Sequence, residues 1–210
     1  MRDHGLRLTL VRHGETTGQS SIRYYGATDV PLSALGEEQM RRTGAALAHE
    51  SFDAVYSSRL CRSRRSAALV ASRPLQAVAI AAFDEVHFGR WEGLTREEIA
   101  ACDPEEFRRW QDDPERFVYP EGECRRAFQR RVAAGLREIL DGTPHRKLLA
   151  VVHRGVIASA LTELLGLTQA QRRALAIDLG SIHVLVRRES GWVPERLNAT
   201  EHLAGLPSTP

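Results

Sequence analysis

The chain has 210 residues, of which 42% are hydrophobic and 27% are charged, and its formal net charge at pH 7 is +2. These ordinary globular values exclude a disordered chain and predict a single domain over residues 1–210. Lys147 is the only lysine, and nearly every Arg-Arg pair along the chain has Glu or Asp nearby, so we expect solvated helix faces and no nucleic-acid partner.

The first part of the chain predicts alternating strands and helices. Residues 8–11 form a continuous apolar and β-branched run, which is typical of a strand buried on both faces. A loop rich in Gly, Ser and Thr follows, and Ser33 can then cap a helix that continues to about Glu50. The pattern next predicts a strand over 52–56, a helix over 60–72 and a strand over 75–82.

Two short helices are predicted next, in close succession. Thr95 and Glu98 have the spacing of a capping box, and Asp103-Pro104 offers a cap followed by a proline at the first helical position. Because these helices are short and adjacent, we expect a small helical cap insertion over about 95–119.

The second part of the chain repeats the strand–helix alternation. Apolar positions at helical spacing predict a long amphipathic helix over 122–140, and an apolar strand over 148–152 precedes a helix over 156–165. Two final strands over 181–188 and 192–197 are joined by a turn, and residues 205–210 read as a loose tail. The alternation predicts an α/β three-layer sandwich, with a mostly parallel sheet covered by helices on both faces.

Two of the predicted strands end on the same kind of polar group. In "LTLVRHGET" the strand ends on Arg12 and His13, and in "LLAVVHRG" it ends on His153. Ligands of open α/β sheets bind at the carboxyl ends of the strands. If these strands are neighbours, the imidazoles converge on one crevice, where arginine matches phosphate oxygens and histidine can act as a nucleophile or donor.

The tripeptide "RHG" alone is weak evidence, but five further motifs accompany it in order. They are "YYGATDVPLSALGEEQ", "VYSSRLCRSRRSA", "FDEVHFGRWEGLT", "PEGECRRAFQRRV" and "LLAVVHRGVI". Together these motifs resemble the histidine phosphatase superfamily, the phosphoglycerate-mutase-like proteins, across about residues 6–203.

The resemblance implies a phosphomonoesterase that needs no metal and no cofactor and hydrolyses a small phosphorylated metabolite. His13 would be the nucleophile that forms a phosphohistidine, and Glu85 would be the proton donor. Arg12, Arg62 and His153 would hold the phosphoryl group. These roles suit phosphoryl transfer, in which fixed cations stabilise the charge on three equatorial oxygens.

The chain departs from the family pattern at several predicted substrate-binding positions. Gln19 stands where asparagine is usual, and we expect it to keep a phosphate contact. Tyr25 stands where relatives often have glutamine, so it either favours a bulkier or ring-containing substrate or fills the gap. Arg154 replaces a usual glycine and either adds a cation for a carboxylate or second phosphate or points to solvent. Arg23 and Gly155 complete the predicted set.

The resemblance leaves alternatives open. The segment between Glu85 and His153 is shorter than in the cofactor-dependent mutases of the family, which favours a phosphatase that admits water. A phosphoglycerate-mutase-type phosphotransferase and a non-catalytic phosphate-binding regulatory protein remain as alternatives. Phosphoglycerate, phosphoserine, sugar phosphates, α-ribazole phosphate and phosphoproteins are all open as substrates. Weak evidence for a small pocket comes from the cap aromatics Phe107, Trp110, Phe117 and Tyr119.

The cysteines and the apolar stretches bear on location. Cys61, Cys102 and Cys124 are odd in number and form no CxxC pair, so we expect reduced thiols, with Cys124 as a small buried side chain. No stretch approaches a membrane span, and the apolar run after Arg7 is too short for a signal-peptide core. We expect a cytoplasmic protein without a membrane partner, and a homodimer remains open.

Overall fold

The computed structural model describes residues 5–71 and 75–207. Its six-stranded sheet has the order β3-β2-β4-β1-β5-β6. Strands β3, β2, β4 and β1 are mutually parallel, whereas β5 is antiparallel to both of its neighbours. The strands are β1 (Arg7–Arg12), β2 (Ala54–Ser57), β3 (Val78–Ala79), β4 (Lys147–Val152), β5 (Ile182–Arg188) and β6 (Gly191–Ala199).

Seven α-helices lie within these described residues. They are α1 (Ala34–Ala46), α2 (Cys61–Val70), α3 (Arg96–Cys102), α4 (Pro104–Asp112), α5 (Arg125–Leu140), α6 (Arg154–Leu165) and α7 (Gln169–Arg173). Short 3-10 helices form at Ala81–Phe83, Gly89–Trp91 and Glu201–Leu203. None of the helices described here is long and apolar enough to cross a membrane.

Successive residues of the central strands face two separate cores. Leu8 and Leu10 of β1 pack in one core with Phe128 of α5 and other residues of α5 and α6. Val11 of β1 packs in the other core with Met40 of α1 and with residues of α2. Because strand side chains alternate between faces, this arrangement places helices on both sides of the sheet. The predicted α/β three-layer architecture is therefore confirmed.

Helix caps follow the sequence signals at two positions and depart from them at a third. Ser33 Oγ accepts a hydrogen bond from Gly36 N at 3.1 Å, and Thr95 and Glu98 form the predicted capping box. Asp103 precedes α4, but its carboxylate caps no backbone N–H of that helix. It accepts instead from Trp91 Nε1 and Arg90 Nε, both at 2.9 Å, which ties the start of α4 to the preceding 3-10 helix.

Several predicted boundaries are wrong, for local reasons. The strand expected over 75–82 is reduced to Val78–Ala79, because the chain turns into a 3-10 helix at Ala81–Phe83. The helix expected from 122 begins at Arg125, since Gly122 N donates to Tyr119 O in a tight turn. Helix α1 ends at Ala46, before the expected Glu50. The expected end of the second helix at residue 72 and the tail over 208–210 lie outside the described residues.

Candidate active site

The two strand ends that carry histidine lie side by side. Strands β1 and β4 are parallel and pair Arg12 with Val152, so His13 and His153 follow at the same edge of the sheet. Their ring centroids are 5.0 Å apart and the rings are inclined by 64°. His13 is 4% exposed and His153 is fully buried. Strands β1 and β4 are therefore neighbours, as the predicted convergence of the two imidazoles requires.

The protonation of His13 follows from its backbone contact. Its Nδ1 lies 2.7 Å from Gly14 O, and a carbonyl can only accept, so Nδ1 carries the proton and Nε2 keeps a lone pair. Burial, followed by the charges of Arg62 and Arg12, holds the His13 pKa well below its ordinary value. At neutral pH the imidazole is therefore uncharged and has a free nitrogen for nucleophilic attack.

The glycine of the "RHG" motif allows two backbone segments to touch. A Cβ on Gly14 would lie 2.4 Å from Gly36 O, and a Cβ on Gly36 would lie 1.9 Å from Glu15 O. These distances are far inside van der Waals contact, so both positions require glycine. The first turn of α1 therefore packs directly against the loop that carries His13.

His153 is oriented by a hydroxyl group. Its Nε2 lies 2.7 Å from Ser58 Oγ, and that oxygen also accepts from Leu60 N at 3.2 Å. The other ring nitrogen, Nδ1, is buried and has no hydrogen-bond partner in the described chain. Burial, followed by the charge of Arg62, holds the His153 pKa well below its ordinary value.

Two guanidinium groups flank the histidines. Arg62 is fully buried and donates to the carbonyls of Thr28, Gly26 and Tyr25 at 2.9, 2.7 and 3.2 Å. Arg12 donates to Ile177 O at 2.9 Å and to Ser20 O at 3.3 Å.

Each of these arginines keeps one donor unused. In the residues that the structure describes, Nε of Arg12 and Nε of Arg62 are buried without a partner. Burial, with the charge of Arg154 as a second cause, lowers the Arg12 pKa to about 10. Burial also lowers the Arg62 pKa. A buried anion would relieve the cost of both desolvated cations.

A carboxylate holds the loop that accepts from Arg62. Glu92 accepts hydrogen bonds from Gly26 N, Ala27 N and Thr28 N at 3.0, 2.9 and 3.2 Å. These amides belong to the segment whose carbonyls bind the Arg62 guanidinium. Sequence reasoning gave Glu92 no role, although it lies in the quoted motif "FDEVHFGRWEGLT".

Glu85 is held at the start of α6 by backbone donors. Its Oε2 accepts from Gly155 N at 2.8 Å and its Oε1 accepts from Val86 N at 2.9 Å. The side chain is largely buried, since the residue is 7% exposed. A Cβ on Gly155 would lie 2.4 Å from Glu85 Oε1, so a side chain at this position would displace the carboxylate. The N–H of Gly155, a residue predicted to bind substrate, therefore donates to the Glu85 carboxylate.

Arg131 of α5 fixes the backbone around Glu85. Its guanidinium donates to the carbonyls of Ala82, Asp84 and Glu85 at 2.9, 2.6 and 3.0 Å. It also forms an ion pair with Glu123 at 2.8 Å. Sequence reasoning missed this role, because nothing in a helical arginine indicates which carbonyls it will reach.

A cavity of about 860 Å³ opens beside the histidines. Of the residues expected in the site, Arg62 and His153 are buried outside its lining, and Gln19 is also absent from the described residues that line it. The expected residues that do line it are Arg12, His13, Arg23, Tyr25, Glu85, Arg154 and Gly155. Of the cap aromatics, Trp110 and Tyr119 line the cavity. Its volume is large for a phosphoryl group alone.

Three predicted residues have environments that sequence reasoning did not foresee. Gln19 is exposed, with φ at 63°, in a turn whose carbonyl accepts from Arg23 N. The Arg23 guanidinium is bound to Glu98 and to Gly93 O, both at 2.7 Å, so it ties the loop to α3. Cys124 is half-buried at the start of α5, not fully buried as expected.

Arg154 lines the cavity and is exposed. Four further arginines, Arg96, Arg125, Arg172 and Arg173, also line the cavity and were missed. Arg172 lies on helix α7, which the sequence analysis did not predict. A sequence signal for this helix was present in "TQAQ", since Thr168 and Gln171 form a capping box at its start.

No cluster of three or more His, Cys, Asp or Glu side chains suited to a metal ion occurs in the part of the chain that the structure describes. All three cysteines are free there.

Comparisons with known proteins agree on one family. The model of the histidine phosphatase superfamily (branch 1) matches residues 8–200. Phosphoserine phosphatase 1 of Hydrogenobacter thermophilus is 30% identical over 199 residues, which cover 94% of each chain. Adenosylcobalamin/alpha-ribazole phosphatase of Escherichia coli is 31% identical over 176 residues, covering 83% of this chain and 87% of that one. The crystal structure of a putative alpha-ribazole-5′-P phosphatase from Escherichia coli superimposes with a TM-score of 0.86 at 29% identity, covering 93% of this chain and 97% of that one.

Proposed function

Because the chain belongs to the histidine phosphatase superfamily and is a phosphoric monoester hydrolase, we propose that His13 is its nucleophile and Glu85 its proton donor. Arg12, Arg62 and His153 hold the phosphoryl group in this proposal. The substrate is a small phosphorylated metabolite.

The observation that carries the proposal is a set of unused donors around His13. Arg12 Nε, Arg62 Nε and His153 Nδ1 are all buried without a hydrogen-bond partner among the described residues. Buried polar groups in folded proteins almost always have partners, so such groups need an explanation. A phosphoryl group supplies three equatorial oxygens, each of which accepts hydrogen bonds.

The chemistry proceeds in two steps. The lone pair on His13 Nε2 attacks phosphorus, the P–N bond forms, and the P–O bond to the leaving group breaks as Glu85 gives that oxygen a proton. Water then attacks the phosphohistidine, Glu85 takes a proton from the water, and the P–N bond breaks to restore His13. The fixed cations stabilise the charge on the equatorial oxygens in both steps.

The contact between His153 and Ser58 supports its role as a donor. Leu60 N donates to Ser58 Oγ, which leaves the hydroxyl hydrogen free for His153 Nε2. When the hydroxyl donates to Nε2, the imidazole proton lies on Nδ1, the nitrogen that has no partner in the described chain. Ser58 thus acts as a positioning residue for a neutral histidine.

The names of the relatives indicate the kind of substrate. Phosphoserine and alpha-ribazole phosphate, which those names mention, are phosphate esters of alcohols, whose alkoxide leaving groups need protonation. The cavity of about 860 Å³ has room for a metabolite larger than the phosphoryl group. An alkyl phosphomonoester is therefore the proposed substrate class.

Trapping the intermediate tests the proposal. The wild type is mixed with phosphoserine, alpha-ribazole phosphate or p-nitrophenyl phosphate, and phosphate release and acid-labile, base-stable protein phosphorylation are measured after rapid quenching. His13→Ala is expected to abolish both. The matched control is His87→Ala, which removes an exposed histidine and is expected to retain both.

Three outcomes would contradict the proposal. Persistent labelling of His13→Ala would move the nucleophile elsewhere. Phosphoryl transfer between substrate and product that depends on a bisphosphoglycerate primer, with little phosphate release, would indicate a mutase. Phosphate binding without turnover of any ester would indicate a non-catalytic binding protein.

A further inference from the structure

Arg172 of α7 is a buried arginine whose hydrogen bonds are incomplete. It is 7% exposed and lines the cavity. Its Nη1 donates to Glu115 Oε1 at 2.6 Å, whereas its Nη2 has no partner within residues 5–71 and 75–207. Arginine is rarely buried unless it is paired, and a guanidinium carries donors for more than one acceptor.

Arg125, the first residue of α5, is a second cation beside Arg172. Its Nη1 donates to Tyr119 Oη at 3.3 Å, and its Nε is buried without a partner in the described chain. It forms no ion pair with any residue that the structure describes. Its charge is close enough to contribute, after burial, to the lowered pKa of Arg172.

The carboxylate that binds Arg172 is already shared with another side chain. Glu115 binds Arg172, and its other oxygen accepts from Gln129 Nε2 at 2.7 Å. Glu115 pairs with Arg172, and Arg125 has no ion-pair partner among the described residues, so the charge of the two guanidinium groups stays positive overall. Like charges held together at a partly buried site repel each other, so an anion bound there would be stabilised.

This cationic pair lines the same cavity as His13 and Glu85. Tyr119, which is 2% exposed, lines the cavity together with Glu85, and its hydroxyl oxygen accepts a hydrogen bond from Arg125. The phosphoryl group itself is held by other cations, Arg12 and Arg62. The charge of Arg125 and Arg172 is thus additional to what one phosphoryl group requires.

We propose that Arg125 and Arg172 bind a second anionic group of the substrate, a carboxylate or a second phosphate, while the phosphoryl group to be cleaved lies at His13. This inference rests on the proposed function and narrows it to phosphomonoesters that carry a further negative charge. The planar fork of arginine suits both groups, because each offers two oxygens in one plane.

Matched substrate pairs test this inference. Phosphoserine and phosphoethanolamine differ by one carboxylate, as do 3-phosphoglycerate and glycerol 3-phosphate, and fructose 1,6-bisphosphate exceeds fructose 6-phosphate by one phosphate. For each pair, kcat/KM of the anionic member is divided by kcat/KM of the other. We expect a ratio of about 10 or more in the wild type for at least one pair, the range of one charge-assisted contact.

Variants locate the preference. Arg125→Gln and Arg172→Gln are expected to lower the ratio about tenfold. Arg172→Lys is expected to keep part of the ratio because lysine keeps the positive charge, but not all of it, because lysine lacks the planar fork of arginine. The matched control is Arg126→Gln, which removes an exposed charge from the next position of α5 and is expected to keep the ratio. If Arg172→Gln does not fold, Arg125→Gln decides, since Arg125 is half-buried and not bound to Glu115.

The results separate this inference from the proposed function. Equal kcat/KM values within every pair, or ratios unchanged in both Gln variants, would overturn the inference while phosphatase activity stands. The absence of hydrolysis of every ester, p-nitrophenyl phosphate included, would overturn the proposed function first. A preference within the phosphoserine or 3-phosphoglycerate pair would identify the second anionic group as a carboxylate. A preference within the fructose phosphate pair would identify it as a phosphate.

Discussion

Gly155→Ala is expected to impair catalysis without destabilising the fold. A Cβ on Gly155 would lie 2.4 Å from Glu85 Oε1 and 3.1 Å from Glu85 Cδ, whereas ordinary contacts begin near 3.4 Å. The carboxylate must therefore retreat by about 1 Å. That movement weakens its hydrogen bonds from Gly155 N and Val86 N, now 2.8 and 2.9 Å long.

The size of the effect follows from this displacement. Misplacing a reacting group by about 1 Å can cost on the order of 10²-fold in rate, so kcat/KM on an alkyl phosphate such as phosphoserine should fall by about that factor. On p-nitrophenyl phosphate the fall should be much smaller, because a phenolate leaves without a proton. Gly155 lies in the first turn of α6 and is not among the glycines with positive φ, so alanine gains up to about 1 kcal/mol of helix propensity.

The assay combines kinetics with thermal unfolding. Both kcat/KM values and the Tm are measured for Gly155→Ala and for Ser159→Ala, which removes from the same helix a buried hydroxyl that has no partner in the described chain. The control should match the wild type. A kcat/KM on phosphoserine within threefold of the wild type would refute the reasoning that the Glu85 carboxylate must stay where it is.

Three further predictions concern the proposed proton donor, the hydroxyl proposed to position His153, and a buried histidine. Glu85→Gln should lose about 10²- to 10⁴-fold in kcat/KM on an alkyl phosphate and much less on an aryl phosphate; equal losses would mean that Glu85 holds geometry or charge. Ser58→Ala should lose about tenfold in kcat/KM on both substrates, since the 2.7 Å contact that orients His153 is removed. The control Ser66→Ala deletes a hydroxyl that has no partner in the described chain, so its kcat/KM should be unchanged. Burial lowers the pKa of His183 to about 4, so the unfolded chain takes up the proton first, at a pKa of about 6.5. The free energy of unfolding from urea titrations should then fall by about 3 kcal/mol from pH 7 to pH 4 on account of this residue. In His183→Gln the fall should be smaller by that amount. The same pH dependence in the variant and the wild type would contradict the lowered pKa of His183.

The amino-acid sequence alone predicted the features that depend on short-range patterns. The apolar run before Arg12 and the one before His153 predicted buried strands, and the Thr95–Glu98 spacing predicted a capping box that the structure contains. These features depend on side-chain periodicity and on hydrogen bonds within one turn, which neighbouring residues determine. The ordered motifs also indicated the family and the phosphatase activity correctly.

Other features depend on which distant segments meet. The register that pairs Arg12 with Val152 brings the two histidines together, and nothing within either strand specifies that pairing. Asp103 resembled a helix cap but accepts from Trp91, because a carboxylate binds whichever donors the fold brings near. Arg172 was one of many arginines in the sequence, and it became notable only because packing buried it with an unused donor. Burial and unmet hydrogen bonds are properties of the packed chain, so they emerge from the tertiary structure and not from local sequence.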